Sequence, residues 1–304
     1  MTNSWRTVAR AAVVTVAAVA LAACGHGGNL NTATSAAAES SSTADAGSDP
    51  MAGMDHGTMA PMPGMDGMGG PIGDGTRNSE FGFTLTVKTR PTGVGRLPIT
   101  LVVTGPKGAP VLDAQVEQTK KMHLIAVRRD LTGYQHRHPA LAADGTWSVD
   151  IDFSTPGRWH LIADVTPIVP GTSSARVALG ADLEIPGSAP ADAALPAPAH
   201  SVNVDGYDIT LDGTLSFTAD QPLTFTIDRD GAPATGITKY LGAGGHLVAL
   251  EQRTLGYTHL HPDDGPGPEL SFTSRAPRAG RYRLFLQFAT GDTVHTAAFT
   301  VDVA

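Results

Sequence analysis

HLIAVRRDLTGYQHRHP (residues 123–139) and HLVALEQRTLGYTHLHP (residues 246–262) are one stretch written twice. Eight of the 17 positions are identical at a constant offset of 123 residues, and the offset still holds at Gly157–Trp159 (GRW) against Gly280–Tyr282 (GRY). So long a span without insertion indicates a duplicated structural unit. Each copy reads as an apolar strand, a tight connection near Asp130-Leu131 in the first, and a second short strand. Opposed residues of an antiparallel pair keep a constant sum of numbers. His123 then faces His138, Ile125 faces His136 and Val127 faces Tyr134; in the second copy His246 faces His261, Val248 faces His259 and Leu250 faces Tyr257. Side chains alternate with period 2, so each set of six shares one sheet face.

Period-2 runs continue outward from these stretches. The first half offers Phe81–Thr89, Leu97–Gly105 and Trp147–Phe153; the second offers Tyr207–Gly213, Leu223–Gly231, Tyr282–Phe288 and Ala297–Val303. Gly, Pro and Asp bound them, as at Asp144-Gly145 and Pro156-Gly157, and no long 3.6-residue period is present. This pattern predicts an all-β chain of two tandem immunoglobulin-like or cupredoxin-like β-sandwich domains. Their expected extents are 79–186 and 201–304, joined by a Pro/Ala-rich linker at 187–200. Residues 24–78, rich in Gly, Ala, Ser, Thr, Met and Pro, lack the apolar content to fold and are expected to form a disordered tether.

Residues 1–23 read as an export signal, with Arg6 and Arg10 ahead of the apolar run Ala11–Ala20. The run ends in Leu21-Ala22-Ala23-Cys24, which resembles a bacterial lipobox. The resemblance implies acylation of Cys24, hence a palmitate-type anchor and a lipoprotein held at the outer face of the bacterial cytoplasmic membrane. Cys24 is the only cysteine, which excludes an internal disulfide, a CxxC redox site, a cysteine nucleophile and a thiolate blue-copper centre. Removal of residues 1–23 takes away two arginines and leaves 19 basic against 29 acidic side chains, about −10, which argues against a nucleic-acid partner.

The three recurring imidazoles point to metal binding, since imidazole is the commonest metal-binding side chain. The expected ligands are His123, His136 and His138 in the first copy and His246, His259 and His261 in the second. Each trio is expected to converge on its own point. Met122 and His160 stand near the first trio without equivalents in the second copy, which makes the first the richer candidate; His295 has no equivalent in the first half. The opposing interpretation takes the Ile125/Val127 face as pointing into the core, with the histidines merely packed there.

Six of the eight methionines fall in MAGMDHGTMAPMPGMDGM, residues 51–68: Met51, Met54, Met59, Met62, Met65 and Met68, with His56 among them. Soft thioethers select Cu(I), so copper as Cu(I) or Cu(II) is the expected ion, with zinc the alternative. The run from Met54 to Met68 resembles the Met/His-rich segments of bacterial copper-resistance proteins found outside the cytoplasmic membrane. The pattern HLxxVxxDLxxYxHxHP at His123–Pro139, followed by Asp144–Trp147 and Pro156–Trp159, is similar to a family of secreted or lipid-anchored bacterial proteins of heavy-metal handling. That resemblance covers residues 120–165 and, more weakly, 243–290, where Arg253 stands in the place of Asp130. The methionine segment and the histidine cluster together lead to the expectation of a non-catalytic, lipid-anchored carrier that sequesters copper, confers resistance or delivers the ion to a metal-transport or acceptor protein. The competing function is a tandem interaction lipoprotein with structural histidines. No HExxH or GxSxG is present, and no enzyme activity is expected.

Overall fold

The computed structural model describes residues 73–262 and 265–304. In the first half the strands are β1 (Ser79–Glu80), β2 (Phe83–Val87), β3 (Gly95–Thr104), β4 (Met122–Arg128), β5 (Gln135–Arg137), β6 (Ala140–Leu141), β7 (Thr146–Phe153), β8 (Gly157–Val165) and β9 (Val177–Ile185). They form a sheet ordered β1-β2-β3-β7-β6 and a second ordered β5-β4-β8-β9. The second half contains β10 (Ser201–Val204), β11 (Tyr207–Gly213), β12 (Gln221–Arg229), β13 (Ala232–Pro233), β14 (Ile237–Thr238), β15 (His246–Glu251), β16 (Tyr257–Leu260), β17 (Glu269–Ser274), β18 (Gly280–Thr290) and β19 (Thr293–Val303). One sheet runs β10-β11-β12-β13 with β17 against β12; the other runs β14-β18-β15-β16 with β19 against β18. Every pairing is antiparallel, and the chain is all-β, as its alternating pattern predicts.

Each half closes over its own core. Ile99, Leu101, Leu124, Ala126, Trp147, Phe153 and Trp159 fill the first, and Phe225, Leu247, Phe272, Tyr282, Phe288 and Phe299 fill the second. A third apolar cluster joins the halves: Ile125, Val127 and Ile162 from one, and Val248, Leu250, Tyr257 and Phe285 from the other. This cluster explains why β4 and β15 are buried at every position. Leu124 and Ala126 face their own sandwich, while Ile125 and Val127 face the other one. Sheets covered on both faces read as continuous apolar runs, so the sequence could not say which face met which core.

The connection between β4 and β5 is set locally. The Asp130 carboxylate accepts from Thr132 N at 3.1 Å and Thr132 Oγ1 at 2.6 Å, and Leu131 turns through a φ of 63°. Gly133 then passes over Trp159, where a Cβ would lie 2.6 Å from the ring, so only glycine fits. In the second copy, where Arg253 replaces Asp130, Glu251 does this work: its carboxylate accepts from Arg253 N, Thr254 N and Thr254 Oγ1. The loss of the aspartate therefore leaves the turn intact. The chain between the halves is pinned as well: Ala193 N donates to Asp130 Oδ2 at 3.0 Å, and Leu195 packs on the third cluster.

Phe285 stacks on Tyr134 across the halves, with centroids 4.0 Å apart and planes 6° from parallel. Truncating a buried phenylalanine removes both its transfer energy and its packing, so Phe285→Ala should cost roughly 3 kcal/mol. Urea unfolding measures this. A loss under about 0.5 kcal/mol, the size of a surface substitution, would mean that the halves do not dock in solution.

Candidate metal centre

The ladders place the histidines as the constant-sum register predicts: Ile125 pairs with His136, Val248 with His259 and Leu250 with Tyr257. His123 and His136 therefore share a face, as do His246 and His259. The two trios do not form separate centres. The faces that carry them are the faces that pack together, so all six imidazoles meet in one cluster. Ring centroids lie 5.1 Å apart for His123–His136, 4.8 Å for His136–His138, 5.3 Å for His246–His259 and 4.7 Å for His259–His261. Across the halves, His123 lies 5.0 Å from His259 and His136 lies 5.7 Å from His246. The sets whose donor atoms lie within 4.8 Å of one another are His123, His136 and His259, and His246, His259 and His261. The second is the expected trio. In the first, His259 from the opposite half takes the place expected for His138.

Each central histidine is held by the opposite half. His136 Nδ1 lies 2.8 Å from Gln287 Oε1, and His259 Nδ1 lies 3.4 Å from Asp164 Oδ2. Gln287 and Asp164 are themselves 123 residues apart, so the two contacts are duplicates. The remaining nitrogens of the central rings point inward: His136 Nε2 is 2.9 Å from His123 Nδ1, and His259 Nε2 is 3.1 Å from His246 Nδ1. Two nitrogens on one ion at bonds of about 2.05 Å stand about 2.9 Å apart at a right angle and about 3.4 Å apart at a tetrahedral one. His123 Nε2 lies 3.0 Å from the Glu117 carbonyl, and the Tyr240 backbone stands in the duplicate place beside His246, whereas the Nε2 atoms of His138 and His261 are buried without a hydrogen-bond partner. Buried polar atoms are nearly always satisfied, so two unpartnered imidazole nitrogens in duplicate places of one cluster point to a ligand.

Burial keeps the rings neutral. It lowers His123 to about 3, His138 to about 4 and His261 to about 3, with the Lys120 ammonium adding to the effect at His138. His136, His246 and His259 are lowered for the same first reason. Neutral imidazole is the form that binds metal. Asp164 is fully buried; burial alone would raise it, but Arg176 and His259 hold it well below the ordinary carboxylate range. His138 and His261 are only half-buried, and a cleft of about 600 Å³ reaches His136 and His138 past Lys120, Arg137 and Tyr240.

Several expectations are corrected. Met122 is fully buried in the first core and is filler, not a donor to the cluster. His160 is engaged by Asp182 at 2.6 Å and the Gly75 carbonyl at 2.8 Å. His295 is engaged by Asp205 and Thr290. The first copy is thus no richer in free donors than the second. Asp164, Gln287 and Arg176 are the site residues the histidine pattern does not reveal; the 123-residue offset, carried past His138, would have paired the first two. Met51, Met54, His56, Met59, Met62, Met65, Met68 and Cys24 lie outside the described residues.

The C-terminal half has a recognised relative. Residues 202–304 match the model of a domain of unknown function, DUF8832. No curated protein matches. Among solved structures, MtrC from Shewanella baltica OS185 is 9% identical, with 73% of this chain and 68% of that chain covered and a TM-score of 0.25. The D00-D0 domain of intimin is 13% identical, with 72% and 98% covered and a TM-score of 0.20. A DUF3823 family protein from Parabacteroides merdae ATCC 43184 is 14% identical, with 71% and 100% covered and a TM-score of 0.19. Among the described residues, no helix is long and apolar enough to cross a membrane.

Proposed function

We propose that this chain is a non-catalytic, lipid-anchored metal carrier outside the cytoplasmic membrane, whose two halves jointly hold one polyhistidine centre. The observation that carries the reading is the convergence of six neutral imidazoles, with the buried Nε2 atoms of His138 and His261 left unpartnered. An all-imidazole donor set suits Cu(II) and Zn(II), while the methionines of residues 51–68 suit Cu(I). The centre would store or pass on Cu(II), the sulfur-rich segment would capture Cu(I), and Cys24 would keep both at the outer face of the membrane. The roles served are sequestration, resistance or delivery to an acceptor protein. An ion there would also link the halves, so it should stabilise the fold by mass action.

Titration of the mature chain with Cu(I), Cu(II) and Zn(II), beside a chain lacking residues 51–68, tests the reading. The shortened chain should keep Cu(II) and Zn(II) binding and lose most of its Cu(I) capacity. Absence of Cu(II) and Zn(II) binding in both chains would remove the metal centre.

A second reading draws on the closed contacts within the cluster. A plain hydrogen bond between His246 and His259, with His136 tied to Gln287 and His123 to the Glu117 carbonyl, can fasten an interaction module. It predicts that His136→Gln lowers stability equally with chelator or with metal, and that metal adds nothing to the parent.

A further inference from the structure

The two central histidines differ in what touches their outward nitrogen. His136 Nδ1 meets only the Gln287 amide oxygen. His259 Nδ1 has two neighbours from the opposite half: Asp164 Oδ2 at 3.4 Å and Arg176 Nη2 at 3.2 Å. These neighbours require opposite tautomers. A guanidinium only donates, so its hydrogen bond needs the lone pair on Nδ1 and leaves the proton on Nε2, where it faces His246 Nδ1. A carboxylate only accepts, so its hydrogen bond needs the proton on Nδ1 and frees Nε2 for an ion. A ligating histidine normally gives its other N–H to such a carboxylate.

Arg176 is the nearer of the two neighbours, and it is itself anchored on Asp164. Arg176 Nε lies 2.7 Å from Asp164 Oδ1 and Nη2 lies 2.5 Å from Oδ2, while the Tyr257 hydroxyl donates to Oδ2 at 2.8 Å. Asp164 Oδ2, the oxygen nearest His259, thus already accepts two hydrogen bonds from other donors. Arg176 also brings a positive charge beside a ring that would carry a cation.

We propose that Asp164 and Arg176 act as opposed positioning residues for His259: Arg176 holds the ring in the tautomer that cannot ligate through Nε2, and Asp164 holds it in the one that can. Loading would then break the Arg176–Nδ1 hydrogen bond, remove the proton from Nε2 and place one on Nδ1 against Asp164, with no net change in the ring's proton count. Arg176 restrains uptake, and because His259 belongs to both convergent sets the restraint reaches the whole centre. The inference rests on the proposed metal function and adds a control to it.

Zn(II) provides the test, because methionine sulfur competes poorly for it. In the full mature chain, long-range proton–nitrogen correlation of the His259 ring should show the Nε2–H tautomer without metal and the Nδ1–H tautomer with Zn(II). By chelator competition, Arg176→Met should bind Zn(II) about tenfold more tightly than the parent, and Asp164→Asn about tenfold more weakly. A merely structural arginine would give the reverse for Arg176→Met, a loss of affinity along with stability. Arg176→Gln replaces it should the methionine variant not fold, and the parent's tautomer is decisive without any variant. An Nδ1–H ring in the metal-free parent, or unchanged or weaker Zn(II) binding on loss of the guanidinium, overturns the inference while leaving the metal centre standing. Failure of the parent itself to bind Zn(II) and Cu(II) removes both.

Discussion

Exchanging His259 for Gln should weaken Zn(II) or Cu(II) binding by about a hundredfold or more, the largest loss expected for any single histidine. His259 is the one ring in both convergent sets, so its removal leaves two donors in each. Changes beside a metal, without loss of a ligand, already cost tenfold to about a hundredfold. His138→Gln should cost far less, about tenfold, because the convergent sets close without it. Chelator-competition titrations of the two variants give the comparison, and thermal unfolding of the metal-free proteins separates lost ligation from lost folding. Equal losses for both would mean that each half binds its own ion through its own three rings.

Acid should dismantle the metal-free protein well before its carboxylates protonate. Burial holds His123 at about 3 and lowers His136, His246 and His259 as well, whereas an unfolded imidazole titrates near 6.5. Below 6.5 the unfolded chain binds protons that the folded chain refuses. The stabilisation due to neutral burial is therefore full above about 6.5 and falls with pH down to the folded values near 3. Each such ring changes the unfolding free energy by up to about 1.4 kcal/mol per pH unit, or roughly 2 kcal/mol between pH 6.5 and 5. With several rings so placed, the loss approaches the whole stability of an ordinary domain, about 5–15 kcal/mol. Urea midpoints measured with chelator at pH 7, 6 and 5 should fall steeply, and saturating Zn(II) should flatten the trend at the upper end. Constant midpoints from pH 7 to 5 would contradict the buried, neutral cluster.

The strand register was legible because period-2 alternation and a fixed sum admit few alternatives: Ile125 could oppose His136 only if the turn closed near Leu131, and it does. The duplication was legible because eight identities recur at one offset. What β4 faces was not. In HLIAV every second residue must be covered, but nothing in the run distinguishes an inner sheet from a second sandwich. The convergence of the trios depends on that docking and so lay beyond a local reading. Asp164 and Arg176 were hidden for another reason. An aspartate in an apolar strand and an arginine after a long loop acquire meaning only through a histidine 95 and 83 residues away. Met122, open to either role beside a histidine, is assigned by period 2 to the opposite face, where it fills the first core.

The reciprocal contacts His136–Gln287 and His259–Asp164 have a consequence. A surface that meets its own duplicate, residue for residue, needs no foreign partner. Here each copy of the repeat supplies the surface on which the other docks, and the imidazoles gather between them. Identical subunits could not have carried an acid on one side and an amide on the other. Within one polypeptide the two copies are free to differ, and Asp164 against Gln287 is such a difference.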